Sequence, residues 1–338
     1  MTGAERHTAN VSLFDICRKF TLAASRADHL VVEFSDRAVA RMATPLNRRS
    51  AAERRFLQVV DEFKPELILL HFADRIGNRA LVQARALAPG VTIADINIDS
   101  IDAAKNQRRL AMRKGVADAL FVTTADPALG ACAGPAAFAA YMPNPVDRAV
   151  ESGRGFETLA PAFDVLLPVG GEETRQVGEE LLSASEAVRR LAAAVPGLKV
   201  STPGIGGQAA ARGAGYFAAL ASARAGWSLS RRADLPLYSS DRMAHFFGWG
   251  LAVLLDRRPG FERFYGPDEA VFYDGLDDLA AAVRRLVADD AAARDLARRG
   301  WEKTWRLFDS GRVLAYVLAQ LYDEGGARAY EWPCERWG

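Results

Sequence analysis

The sequence has little of what would mark a metal-stapled, disulfide-stapled or membrane-spanning chain. Its 338 residues contain three cysteines, Cys17, Cys132 and Cys334, too scattered for a disulfide framework or a thiolate cluster. There is no CxxC pair and there are four histidines, so a structural zinc site is not expected. No run of about 18 apolar residues occurs, so no transmembrane helix is expected. The opening MTGAERHTAN is polar and lacks the apolar core of a secretory signal, which makes the cytoplasm the expected compartment. An excess of one charge is missing too. Lys and Arg number 43 against 42 Asp and Glu, a net +1, and such a balance argues against a chain built to coat nucleic acid.

What is present is globular material: 50% hydrophobic and 25% charged residues. At the usual ~150 residues per domain this length suggests two domains. Short apolar runs bounded by turn residues recur along the chain. HLVVEF (His29 to Phe34), ELILLHF (Glu66 to Phe72), VTIADINI and DALFVTT (Asp118 to Thr124) read as buried strands. Helical stretches such as AAERRFLQVVDEF and ALVQARALA separate some of them. Strands alternating with helices of that length predict βαβ units and a parallel sheet.

The segment YMPNPVDRAVES interrupts this pattern. Pro143 and Pro145 bracket Asn144, which predicts an extended linker. A second series follows: DVLLPV, LKVSTPG, AGWSLS, LAVLLD and AVFYD. Leu276, Leu279, Val283 and Leu286 then trace a helical stripe, with Asp277 and Asp278 in the first turn where the helix dipole favours them. The stretch from Trp301 to about Tyr322 is also helical in period. Ligands of parallel sheets gather at the carboxyl ends of the strands, and two such sheets facing each other make a cleft suited to a ligand.

One segment is more specific. From Leu237 to Leu286 the chain reads LYSSDRMAHFFGWGLAVLLDRRPGFERFYGPDEAVFYDGLDDLAAAVRRL. Arg242, Gly250, the strand to Asp256, Pro259-Gly260-Phe261, Phe264, Glu269 and Phe272-Tyr273 match a pattern in which it resembles the donor domain of GT-B glycosyltransferases, most of all their CgeB-like branch. The resemblance covers residues 160 to 310 well and the N-terminal half more loosely. It implies an α/β chain of GT-B architecture, two Rossmann-like domains facing a central cleft. The expected divisions are residues 1–150 on the acceptor side, 160–315 binding the nucleotide-sugar, and 316–338 as a tail returning to the first domain. It also implies a metal-independent glycosyltransferase with no cofactor beyond its nucleotide-sugar donor. The acceptor would be a hydroxyl of a glycan, glycolipid or protein, in cell-surface polysaccharide, lipopolysaccharide or protein glycosylation. No nucleic-acid partner is expected, and a peripheral place at the inner membrane face stays open.

Residue by residue, Ser239, Ser240 and Asp241 are N-cap candidates before a helix whose free N–H groups favour an anion. Arg242 adds a guanidinium fork suited to phosphate oxygens, the alternative being a capped helix with a solvated arginine. The family commonly has an acidic residue three positions after that arginine to hold a donor hydroxyl. This chain has His245, which reads either as a hydroxyl contact or as a packed helix residue. Glu269 is a donor contact by resemblance or a plain turn residue. Gly170 and Gly171 allow a ligand close to the backbone, and the resemblance turns their loop towards the donor diphosphate. Arg175 is expected near the start of the following helix. Ser230 fits the small polar residue the family places near the donor, while Arg231 and Arg232 read as phosphate contacts or a solvated edge. PGIGG (Pro203 to Gly207) reads as a flexible loop.

In the N-terminal half, His71 and Asp74 follow the strand ELILL, and Asp95, Asp99 and Asp102 lie in or after VTIADINI. The family tends to place an aspartate at the end of this strand, and Asp99 fits best. His71, Asp74 and Asp99 are therefore the candidate catalytic residues, able as bases to take the acceptor proton in an inverting reaction; helix N-caps are the plain alternative for Asp99 and Asp102. Family members begin with a strand and a Gly-containing loop. Here the polar Met1 to Asn10 lead straight into VSLFDICRKFTLAA, so either that strand is absent or the sequence starts late. The departures at His245 and at the N-terminus motivate a second reading, a non-catalytic GT-B-fold subunit that binds a nucleotide-sugar or a partner. An epimerase on the same plan is a third.

Overall fold

The computed structural model describes residues 16–135 and 137–338. In chain order the first elements are α1 (Ile16–Arg26), α2 (Asp36–Met42), α3 (Arg48–Phe63), β1 (Leu67–His71), α4 (Asn78–Leu87), β2 (Thr92–Asn97), α5 (Ala104–Arg113), β3 (Ala119–Val122) and β4 (Phe138–Tyr141). They continue with β5 (Phe163–Leu166), β6 (Thr174–Val177), β7 (Glu180–Ser183), α6 (Ala184–Ala194), β8 (Val200–Ser201), α7 (Ala214–Ala221), β9 (Ala223–Trp227), α8 (Asp241–Trp249) and β10 (Ala252–Asp256). Last come β11 (Val271–Tyr273), α9 (Leu276–Ala288), α10 (Asp290–Phe308), α11 (Ser310–Tyr322), a single turn at Glu324–Ala327, and β12 (Arg336–Trp337). Two compact units result: Met1–Pro143 together with Ser310–Gly338, and Asn144–Asp309.

The first unit is a sheet of order β1-β2-β3-β4-β12. Strands β1 to β4 run parallel and β12 closes the edge antiparallel to β4. All four residues of β3 are buried, as a strand covered on both faces requires. Phe56 and Val60 of α3 pack with Leu70 and Ile93 in one core. The chain's last segment is built into this unit. Tyr316 donates its hydroxyl to the Tyr141 carbonyl at 2.9 Å, Gln320 donates to the Cys334 carbonyl at 2.8 Å, and Arg26 of α1 reaches Ser310 at 3.1 Å.

His29 to Phe34 is not a strand. Between α1 and α2 it runs without a ladder partner among the described residues, with Leu30 85% exposed and only Phe34 buried. An apolar run becomes a buried strand only where a neighbour offers it a ladder, and here the two ends are fixed by local turns instead. Asp28 takes φ +59°, and Ser35 caps α2 by accepting from the Ala38 N–H at 3.1 Å. The polar Met1 to Asn10, with the expectation of a missing first strand, lies outside the described residues.

The second unit is a fully parallel sheet of order β11-β10-β9-β5-β8, with the antiparallel hairpin β6–β7 beside it. Its core holds Trp227 and Tyr273, joined by a 2.9 Å bond from the indole N–H to the phenol oxygen. Helix α8 lies hard against β9, where a Cβ at Gly226 would overlap the Phe246 ring, and ends at Gly250 with φ +82°. The Pro-bracketed segment packs into this unit: Asn144, Val146, Asp147, Val150 and Glu151 are buried, and Val146 donates to the Phe308 carbonyl at 2.8 Å. The helical stretch from Trp301 to Tyr322 is two helices, broken at Asp309, whose ψ of 138° leaves the helical range.

Candidate functional site

In the second unit two arginines converge beyond the carboxyl ends of β5 and β9. Arg242 is the second residue of α8, and its Nη2 donates to the Leu229 carbonyl at 2.6 Å while Nη1 lies 3.5 Å from the Pro168 carbonyl. Arg175, 7% exposed, reaches the same Leu229 carbonyl through Nη1 at 3.4 Å. The Nε–H groups of both arginines are buried without a hydrogen-bond partner, and so is the Ser240 hydroxyl. Burial, and then the positive charge of Arg242 beside it, brings the Arg175 pKa down to about 10; burial likewise lowers that of Arg242. Both remain cations at neutral pH. Buried donors left unmatched beside two like charges are costly.

The hairpin puts Arg175 in place. It was expected near a helix start, but it lies in strand β6. The reason is the turn at Gly178, φ +57°, whose N–H donates to Asp256 at the end of β10 at 2.9 Å. Gln176 then fastens β6 to the loop after β9, its N–H donating to the Ser230 carbonyl at 3.1 Å and its side chain accepting from Ala233 at 2.9 Å. Gly170 and Gly171 face open space. Beyond them Glu172 accepts from the N–H groups of Gly206 at 2.9 Å and Ser185 at 3.1 Å, which ties this loop to PGIGG, a loop anchored by buried Ile205. Ser240 occupies the N-cap position of α8 but its side chain does not cap, and Asp241 sits in the first turn. Arg231 and Arg232 pair with Glu173 and Asp234.

Two expected donor contacts have other work. His245 is 4% exposed, and its Nδ1 lies 2.6 Å from the Glu151 carboxylate, whose other oxygen accepts from the Asp147 N–H at 2.7 Å. That ring nitrogen serves a buried pair within the unit. Glu269 precedes β11 and so lies at the amino edge of a parallel sheet, the edge opposite the arginines. There it accepts from the Gly266 N–H at 2.8 Å and pairs with Lys303 at 3.2 Å, a turn-fastening role.

In the first unit the candidates gather at the carboxyl end of β1. His71 is 2% exposed, its Nδ1 3.2 Å from the Ile96 carbonyl. A carbonyl only accepts, so Nδ1 carries a proton. Arg109 of α5 binds both oxygens of Asp74 at 3.0 Å, and its remaining nitrogen binds Asp99 at 3.0 Å. The same guanidinium stacks 4.4 Å from the Phe72 ring centroid, and Phe72 takes φ +48°. Arg37 adds a third contact to Asp74 at 3.2 Å. Burial raises the Asp74 pKa, but the Arg109 bonds outweigh it and the net shift is downward. Asp95 goes the other way: burial pushes it to about 6, against the pull of Arg113 and His71. Arg113 itself donates to the Ala73 and Ile76 carbonyls at 2.7 and 2.9 Å.

Residues 175–319 match the family model described as glycosyl transferase-like. That match covers less than half of the chain, and over it the chain is similar to glycosyl transferases. No protein of curated function matches the sequence. Among solved structures, HepE of Anabaena in complex with UDP and glucose is 12% identical, covering 95% of this chain and 97% of its own, with a TM-score of 0.56. AviGT4, a glycosyltransferase involved in avilamycin A biosynthesis, is 14% identical over 96% and 90%, TM-score 0.56. Sucrose-phosphate synthase of Thermosynechococcus elongatus is 16% identical over 84% and 79%, TM-score 0.50. These likenesses establish the GT-B fold. Arg175, Ser230, Ser240, Asp241, Arg242, His245 and Glu269 all lie inside the glycosyl transferase-like segment.

Arg109, Arg113 and Glu151 were not among the residues singled out from the sequence, and Asp95 was named there without being chosen as a catalytic candidate. Asn106, Arg109 and Arg113 form a polar stripe at helical spacing on the buried side of α5, where an apolar stripe is the rule. That inversion was the available signal.

Proposed function

We propose that the chain transfers a sugar from a nucleotide diphosphate donor to an acceptor hydroxyl, with the donor diphosphate held by Arg175 and Arg242. One observation carries this: a buried guanidinium, Arg175, and a half-buried one, Arg242, share a single carbonyl and leave both Nε–H groups unmatched, a cradle that a diphosphate would complete. The loop at Gly170 and Gly171 offers backbone close by, and the α8 N-terminus with the Ser240 hydroxyl adds donors. Charge gathering on the departing diphosphate would be stabilised by these fixed donors. HepE was solved with UDP-glucose, so UDP-glucose is the first donor to try. The test is a thermal-shift screen against UDP-, GDP-, CMP- and dTDP-sugars, followed by transfer or hydrolysis of the stabilising one. If no nucleotide-sugar stabilises the protein, or Arg175→Ala and Arg242→Ala bind it as wild type does, the reading fails.

On the acceptor side, His71 is the candidate to test first, because the Ile96 carbonyl at its Nδ1 fixes the orientation of the ring at the end of β1. Should the reaction use it, His71→Asn lowers turnover far more than donor affinity; an unchanged turnover removes the base from the mechanism. The non-catalytic reading is favoured by one feature, the His245 imidazole engaged by Glu151 where the family has an acid. It predicts donor binding without hydrolysis or transfer to any hydroxyl acceptor.

A further inference from the structure

The turn between α2 and α3 carries an unusual surface. Met42 is 91% exposed and Leu46 is 97% exposed. Scattered surface leucines are ordinary, but these two stand on one short connection whose shape is fixed. Pro45–Asn47 form a 3₁₀ turn, closed by a 2.9 Å bond from the Asn47 N–H to the Thr44 carbonyl and followed by the Ser50 hydroxyl on the Asn47 carbonyl at 3.1 Å. Arginines surround them. Arg41, Arg48, Arg49, Arg54 and Arg55 are all exposed, and Glu53 is the one acid from position 41 to 55. Glu53 is itself occupied, pairing with Arg49 at 3.2 Å and accepting from the Gly77 N–H at 3.0 Å. Arg48, Arg54 and Arg55 have no ion-pair partner among the described residues. On a chain of net charge +1 this is a concentrated positive patch around an apolar tip.

We propose that this turn docks the protein on an anionic lipid bilayer, with Met42 and Leu46 entering the boundary between headgroups and acyl chains and the arginines meeting lipid phosphates. The two parts of the patch select that partner together. Cations alone would suit a nucleic acid, whereas apolar tips ringed by arginine suit an interface that is charged outside and hydrocarbon beneath. The arginine stems can lie along the apolar zone while their heads stay hydrated.

Flotation of the full chain with vesicles tests this, using phosphatidylcholine alone and phosphatidylcholine mixed with phosphatidylglycerol, at low and high salt. Wild type is expected to float with the mixed vesicles, less at high salt, and not with phosphatidylcholine alone. Met42→Asp/Leu46→Asp removes the tip and Arg48→Glu/Arg55→Glu reverses the charge. Each is expected to lower partitioning by roughly ten-fold or more. All four side chains are exposed, so the variants fold, and unchanged circular dichroism with unchanged donor stabilisation in the thermal-shift screen confirms it. The proposal is overturned if wild type ignores anionic vesicles, if it floats equally on neutral ones, if the tip variant binds as wild type does, or if duplex DNA or RNA is retained while vesicles are not.

Discussion

Asp95 lies in the middle of β2, 6% exposed, and its carboxylate accepts no hydrogen bond among the described residues. Burial raises its pKa from 3.8 to about 6. The folded state thus holds this proton more tightly than the unfolded state does. The stabilisation from the bound proton is complete below pH 3.8 and is lost as pH rises through about 6, above which the buried charge is a standing cost. A gap of about two pH units corresponds to about 3 kcal/mol at pH 8 and to only about 0.5 kcal/mol at pH 4. Asp95→Asn removes the charge and keeps the shape. The variant is expected to be more stable than wild type at pH 8, with the advantage shrinking by about 2.5 kcal/mol on going to pH 4. Because the chain has two units, one global melt mixes them. Urea unfolding read by hydrogen exchange on peptides spanning β1 to β3 isolates the relevant one. A gain that is the same at both pH values, or a loss at pH 8, refutes the reasoning; the latter would mean that Arg113 depends on the Asp95 charge.

Arg242→Ala is expected to weaken UDP-glucose binding by about 1.5 to 3 kcal/mol, the worth of a charge-assisted hydrogen bond; titration calorimetry on the folded variant checks it, and wild-type affinity denies the phosphate role. Glu151→Ala leaves His245 without the acid it is buried against, their side chains being 5% and 0% exposed. Leaving the buried ring nitrogen without this hydrogen-bond partner costs about 1 to 3 kcal/mol, so a lowered melting temperature of the second unit is expected, and an unchanged one means the bond contributes little. Because two arginines supply the positive charge at the donor site, transfer is expected to persist in EDTA; activity lost on chelation and restored by magnesium or manganese contradicts this.

Much of the architecture was legible because its signals are local. LILLH, TIADIN and ALFV are short apolar runs bounded by turns, and a parallel strand buried on both faces looks like that. HLVVEF has the same look and is no strand, since nothing within those six residues tells whether a neighbour will pair with them. Strand β12 is two residues long and exists only because β4 presents an open edge. The site divides in the same way. Arg242 was readable from its place at a helix start within a longer pattern. The geometry around it was not: Arg175 arrives on a hairpin whose turn is tied to Asp256, 78 positions away. Likewise His245 is matched by Glu151 across 94 positions, and Arg109 joins two aspartates that each looked like an independent base. Pairings over such distances leave no periodic trace.

Chain continuity differs between the two units, and this bears on synthesis. The second is one uninterrupted stretch, whereas the first is sewn from segments on either side of it in sequence, with Tyr316 and Val317 of α11 fully buried in it and β12 sealing the β4 edge. A ribosome delivers earlier residues first, yet the first unit keeps an open sheet edge and an uncovered core until residues 310–338 emerge. The unit encoded later therefore finishes earlier. A nascent chain stalled or cleaved near Asp309 would release a complete second unit attached to an unfinished, adhesive first one, so quality control of this protein hinges on the segment from Ser310 onward.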